Sequence, residues 1–177
     1  FEELLPHASI IRHRLESQAT DRELIDLVVD IFEALNHRIH FIYDRDHQLG
    51  HSYFLNIHSF EELRNVFTDR VIPLLQEYFY GAWDKICTVL GCPYSEDGKP
   101  ERHNSLVKEG KYIAPIITAD VFAEEATIGF DHSDYEDRLN FQVNSNFARR
   151  ANSKESLFPF FMGILPDEKS SQYEKSE

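Results

Sequence analysis

Between Tyr43 and Phe54 the chain reads YDRDHQLGHSYF, with one Arg, two Asp and two His gathered around Gly50. These side chains bind anions, share protons or coordinate metals, and a plain connector would not need them. If a helix starts nearby, its free amides form an anion site. His51 and Ser52 would add donors, and Gly50 would let a ligand approach the backbone. An equally good reading is a tight turn with a satisfied histidine and with Tyr53 and Phe54 buried. Asp44 and Asp46 flank Arg45 and could serve a metal or act as a base. A charged turn with weak local ion pairs explains them more simply.

Five histidines (His37, His40, His47, His51 and His58) lie within 22 residues. Helical spacing can aim two imidazoles at one ion. The plainer reading puts His37 and His40 on an exposed helix face and His58 near a cap. No HExxH or paired-cysteine context supports a metal, so no metal ligand is assigned. Cys87 and Cys92 have no second pair and read as one core thiol and one loop thiol.

The elements around this segment are mostly helical. Thr20-Asp21-Arg22-Glu23 has the form of a capping box. Leu24, Val28, Ile31, Leu35, Ile39 and Ile42 then recur at helical spacing, which predicts one amphipathic helix over 21–43. Ser59-Phe60-Glu61-Glu62 is a second capping box, and Leu63, Val66 and Phe67 follow on one face. Pro73 either kinks this helix or opens a new one at its first turn. Residues 82–90 read as a short helix closed by Gly91. Residues 20–91 are therefore an array of three or four helices. Residues 1–19 read as irregular. Residues 92–177 form a mixed extension: 111–118 and 139–143 are β-prone, 120–125 are a helical turn, 157–165 are apolar enough to dock on the core, and the chain frays after about 167.

The composition has 18 Lys and Arg against 31 Asp and Glu, a net charge of −13. That surface repels a phosphate backbone. Two cysteines and no signal-like start point to a reducing, cytoplasmic setting. No apolar run approaches the ~20 residues that span a bilayer. The first residue is Phe, not Met, and the opening pattern suggests a piece of a larger protein. GxxxxGK[ST], GxGxxG, GxSxG and HExxH are all absent from the sequence, so no catalytic set is assigned.

Residues 45–54 (RDHQLGHSYF) followed by 71–91 (VIPLLQEYFYGAWDKICTVLG) resemble the McrB family. These are AAA+ NTPase subunits of modified-cytosine-dependent restriction systems, in which a GHSYF-like segment precedes a helix ending in PLLQEYF. FEELLP (1–6) matches the end of that family's αβ core, and 134–147 looks like its acidic, aromatic C-terminal tail. The resemblance is clear over 20–91 and looser over 1–19 and 92–147. It implies a mainly α fold, the small AAA+ lid, with a C-terminal extension of a few short strands. Residues 1–19 would be the end of the core and its connector. Gly50, His51 and Ser52 would face nucleotide at the second-sensor position, supported by Arg45 and Asp46. Many AAA+ lids place an Arg there, and GHSYF has none.

The resemblance further implies GTP or ATP with Mg in the parent protein, and none bound by this chain alone. It implies the parent's upstream AAA+ core as a partner, a ring whose basic neighbours meet the acidic outer face, a McrC-type endonuclease subunit, and DNA contact only through other domains. Walker A and B and the arginine finger are missing, so the chain alone is expected to be inactive. Two other functions remain open at this point: a non-catalytic helical interaction module, and a His/Asp metal hydrolase on residues 37–58.

Overall fold

A computed structural model describes residues 5–92, 106–107, 112–119, 140–150 and 153–174. The described chain is mainly helical, with two small antiparallel ribbons in its C-terminal part.

The central element is α2 (Arg22–Ile42), whose apolar residues recur at the helical period. Leu24, Leu27, Val28, Ile31, Leu35 and Ile39 are buried along it. Its N-cap is Asp21, one residue later than the capping-box reading placed it. The Asp21 carboxylate accepts from the amides of Glu23 and Leu24, and a carboxylate suits the positive end of a helix dipole better than a hydroxyl does. Thr20 Oγ1 instead lies 3.4 Å from the Ile57 carbonyl.

The segment 1–19 was expected to be irregular, yet it contains α1 (Ala8–Ser17), which buries Ile11 and Leu15 against α2. Its apolar signal is thin and no side chain caps it. Contact with α2 supplies what local sequence does not.

After the 43–59 connection comes α3 (Phe60–Val66), capped by the Ser59 hydroxyl on the Glu62 amide. The Glu62 carboxylate reaches back to the His58 amide at 2.6 Å. A π turn, Phe67–Val71, then leads without a break into α4 (Ile72–Tyr78). Pro73 sits in the first turn of α4. It has no N–H, and its ring would press on the carbonyl four residues back in a regular spiral. The wider π turn just before it, with the Ile72 amide bonded to the Phe67 carbonyl, gives that carbonyl room.

Helix α5 (Trp83–Leu90) ends at Gly91, whose φ is +70°. Any Cβ there would collide with the Gly163 carbonyl oxygen. Gly91 is thus required twice, by its left-handed backbone and by close packing. Across the same junction Arg38 Nη1 donates to the Val89 carbonyl at 2.9 Å, a cation at the negative end of α5. Burial pulls the Arg38 guanidinium below its ordinary value.

The C-terminal part joins the same core. Strands β1 (Leu106–Val107) and β2 (Tyr112–Ile113) pair antiparallel, as do β3 (Ile116–Ala119) and β4 (Asn140–Val143), with Ile116 opposite Val143. Both β-prone stretches are therefore strands, while 120–125 lies outside the described residues. Helix α6 (Lys154–Ile164) carries a full Ser153–Ser156 capping box and buries Leu157, Phe160, Phe161, Met162 and Ile164. Phe67, from the π turn, meets Phe161 at 5.6 Å and Phe147 at 6.3 Å between ring centroids. One apolar cluster runs from Ile11 to Leu165. The chain was expected to fray after about 167, but α7 (Asp167–Glu174) follows. Cys87 and Cys92 are both buried and free; Cys87 lies within α5, and Cys92 follows its end, outside any helix or strand.

Two substitutions check this packing by urea unfolding. Leu75→Ala, at a fully buried position, costs ~2–5 kcal/mol. Gly91→Ala costs more than ~1 kcal/mol, since it adds left-handed strain to a backbone clash.

Candidate functional site

The corner between α2 and α3 is fastened by a side chain absent from the sequence-level candidates. Asn36, buried on α2, accepts from the Leu49 amide at 2.6 Å through Oδ1 and donates to the Leu49 carbonyl at 3.0 Å through Nδ2. Leu49 is wholly buried, and this bidentate bond satisfies both of its backbone groups away from water. Gln48 Nε2 adds a bond to the Asn36 carbonyl at 3.3 Å. Beyond the clamp, Phe54 is buried with its ring edge-on to Phe32 at 5.4 Å.

Between these two anchors Gly50 leads into a four-residue 3-10 turn, His51–Phe54. Gly50 has φ −65° and ψ 140°, an ordinary extended conformation that any residue adopts. A Cβ there would meet the Ser52 hydroxyl at 3.5 Å, plain van der Waals contact. The fold does not need glycine at this position, so its small size matters only to something approaching from outside. Ser52 is exposed and His51 half-buried. His51 Nδ1 is buried with no hydrogen-bond partner, so any outside ligand would meet the other edge of the ring. The single 3-10 turn is too short to carry much of a helix dipole. The anion-site expectation is therefore reduced to individual donors.

The preceding turn is structural. The His47 amide donates to Asp44 Oδ1 at 3.0 Å, and the His47 ring Nδ1 lies 2.6 Å from the same oxygen. The His47 ring also stacks edge-on with Tyr43 and Tyr78 at 4.1 and 4.9 Å, and Tyr43 meets Phe79. The bond from the His47 side chain, then that from its amide, holds the Asp44 carboxyl below its ordinary value. Burial, followed by the nearness of Tyr53 and Glu77, raises the Tyr78 phenol. Arg45 and Asp46 lie exposed at the tip of the turn.

His37 and His40 are exposed on α2, and His58 Nδ1 lies 3.3 Å from the Thr20 hydroxyl. Among the described residues, no three His, Cys, Asp or Glu side chains gather into a group able to hold a metal ion. The carboxylates of 131–137 lie outside the described residues.

A family model described as "McrB, alpha-helical lid domain" matches residues 27–87. Residues 27–87 are thus similar to an McrB-type lid. That span takes in most of α2, the clamped corner, the π-turn helix and most of α5. No curated protein matches the chain.

Within this stretch, the structure places Gly50, His51 and Ser52 together on one short turn. It puts Arg45 and Asp46 on the separate turn that Asp44 and His47 close. Asn36 carried a faint signal: an amide amid a helix-period run of Phe32, Leu35 and Ile39 must find a buried partner. What the sequence did not contain was the identity of that partner.

Asn36→Ala leaves the Leu49 amide and carbonyl buried and unpaired, so unfolding should show a loss of ~1–3 kcal/mol for each orphaned group. Gly50→Ala should shift stability by less than ~0.5 kcal/mol. For Asp44 the folded value is the lower one. Its contribution is present above the ordinary carboxylate range, ~3.9, and is lost as pH falls through the folded value. His47→Ala should return Asp44 upward to that range in an NMR titration.

Proposed function

We propose that residues 20–91 act as the nucleotide-sensing lid of a McrB-like AAA+ NTPase, closing over GTP or ATP with Mg held by an upstream core. The observation that carries this reading is the corner itself. Gly50, His51 and Ser52 are presented on a turn fastened by Asn36 at one end and Phe54 at the other, inside the segment matched by the lid model. A glycine the fold does not require, on a turn where Ser52 is exposed and His51 half-buried, suits a surface completed by something outside the lid.

In this reading His51 and the Gly50 backbone touch ribose or base. Gly50, His51 and Ser52 include no Arg or Lys, the side chains that γ-phosphate charge calls for. Nucleotide binding fixes the angle between core and lid, and hydrolysis releases it. Because α2, the corner and α3 are locked by buried bonds, the lid moves as one piece. The single core extending to Leu165 supports a rigid body. With no Walker motifs, the chain alone should not hydrolyse nucleotide. The wider system belongs to the same proposal: a ring, a McrC-type endonuclease subunit, DNA reached through other domains, and a cytoplasmic setting in keeping with two free thiols. No described helix is long and apolar enough to cross a membrane.

The test is made in the protein that carries the upstream core. His51→Ala should lower nucleotide turnover about tenfold or more, the loss expected for one hydrogen bond to a charged or closely held group, with the unfolding midpoint of the lid unchanged. Turnover equal to that of the parent would sink the second-sensor role. Equal losses of turnover and stability would make His51 a packing residue.

A further inference from the structure

Helix α7 is attached differently from every helix before it. Leu165, 1% exposed, is the last fully buried apolar residue, and its backbone leaves α6 extended, at ψ 150°, into Pro166. Among the described side chains of α7 only Ser170 is buried. Beyond the half-buried Tyr173 ring, which packs on the edge of the core, two polar contacts of α7 converge on one carboxylate. Lys169 Nζ donates to Asp30 Oδ1 at 2.6 Å, and Tyr173 Oη donates to Asp30 Oδ2 at 2.9 Å. The Tyr173 ring adds one edge-on contact with Phe158 at 6.2 Å.

Asp30 belongs to an acidic stripe on α2, with Glu23 and Asp26 at helical spacing. Each of the three is met by a cation from a different element. Arg12 of α1 meets Asp26 at 2.6 Å, Lys154 of α6 meets Glu23 at 2.6 Å, and Lys169 of α7 meets Asp30. Lys154 and Arg12 sit on helices that also bury apolar side chains. Lys169 sits on a helix whose apolar contact with the core is the half-buried Tyr173 ring, so α7 leans on the Asp30 contacts more than α1 and α6 lean on theirs. The bond to Asp30, with Glu33 and Asp26 adding to the field, raises the Lys169 ammonium. Burial and then Asp30 raise the Tyr173 phenol.

We propose that α7 is a releasable strap, latched to α2 through Asp30, which swings out about Pro166 while the rest of the helical body stays folded. Release bares the Asp30 carboxylate and the edge of Phe158, an acidic and aromatic patch that the chain fills with its own lysine and tyrosine in the closed form. A contact held by charge loosens under screening, and one held by apolar burial does not.

Hydrogen exchange read by mass spectrometry on the full 177-residue chain tests this. In wild type at low salt, amides of 167–174 should be protected. Raising NaCl to ~1 M, where the screening length falls to ~3 Å, should speed their exchange about tenfold or more and leave α2 and α6 unchanged. Asp30→Asn should do the same at low salt. Lys169→Gln keeps α2 intact and guards against a folding defect at position 30, and it should reproduce the effect. Tyr173→Phe should give a smaller acceleration. Three results would overturn the strap: unprotected α7 in wild type at low salt, protection indifferent to salt and to both charge variants, or loss of α7 protection only together with α6.

Discussion

The pairing of Asn36 with both backbone groups of Leu49 is the constraint on which the lid corner depends. Leu49 lies in neither helix nor strand, and its peptide is buried. Without a partner, its amide and carbonyl would each carry a desolvation penalty comparable to a lost hydrogen bond. The Asn36 side chain mimics a passing strand and removes both penalties with one residue. It also sets register. Leu49 opposite Asn36 fixes where Gly50 emerges, and Phe54 against Phe32 fixes where the 3-10 turn re-enters the core. The three residues at the surface of the corner are positioned by two contacts that are themselves out of solvent.

The main helices were legible because burial follows the 3.6 period: α2 and α5 lie within about a residue of their sequence-level bounds. Gly91 and Pro73 were legible as punctuation, since each removes a backbone option. What could not be read was settled by tertiary partners. Helix α1 lacks a cap and a strong apolar stripe, and α2 completes it. Asp21 rather than Thr20 caps α2 because the Thr20 hydroxyl is turned toward the 57–58 backbone and ring. The π turn has no local signature except that a proline would otherwise crowd a carbonyl. Helix α7 is polar throughout and looks like a tail. Its partners lie far away in sequence: Asp30, 139 residues upstream of Lys169, and Phe158 against Tyr173 hold it on the body.

The candidate site divides along the same line. Its composition pointed to Tyr43–Phe54, and the residues there have two separate tasks. Asp44, His47 and Tyr43 are consumed in holding the connection against Tyr78 and Phe79. Gly50, His51 and Ser52 are held by others, and the Gly50 carbonyl accepts from the Tyr53 amide to close their own turn. Residue type alone could not separate the groups, since both contain histidine. Geometry does: His47 has its partners inside the chain, whereas His51 Nδ1 is buried without one.

The same distinction bears on the acidic surface. A net charge of −13 suggested an outer face ready to meet a basic neighbour. Part of that charge is already answered within the chain. Glu23, Asp26 and Asp30 form a stripe along α2, and Lys154, Arg12 and Lys169 meet them one by one from three other helices. Helix α2 is therefore two-faced: an apolar stripe gathers the core, and an acidic stripe gathers the helices at either end of the chain. The two kinds of contact differ in how they yield. Apolar burial scales with area and is indifferent to ionic strength, whereas exposed ion pairs are worth little singly and are screened. A helix docked by both, such as α6, stays with the body. Helix α7, whose apolar hold is the half-buried Tyr173 ring and whose ion pair has one exposed partner, is the element able to leave first.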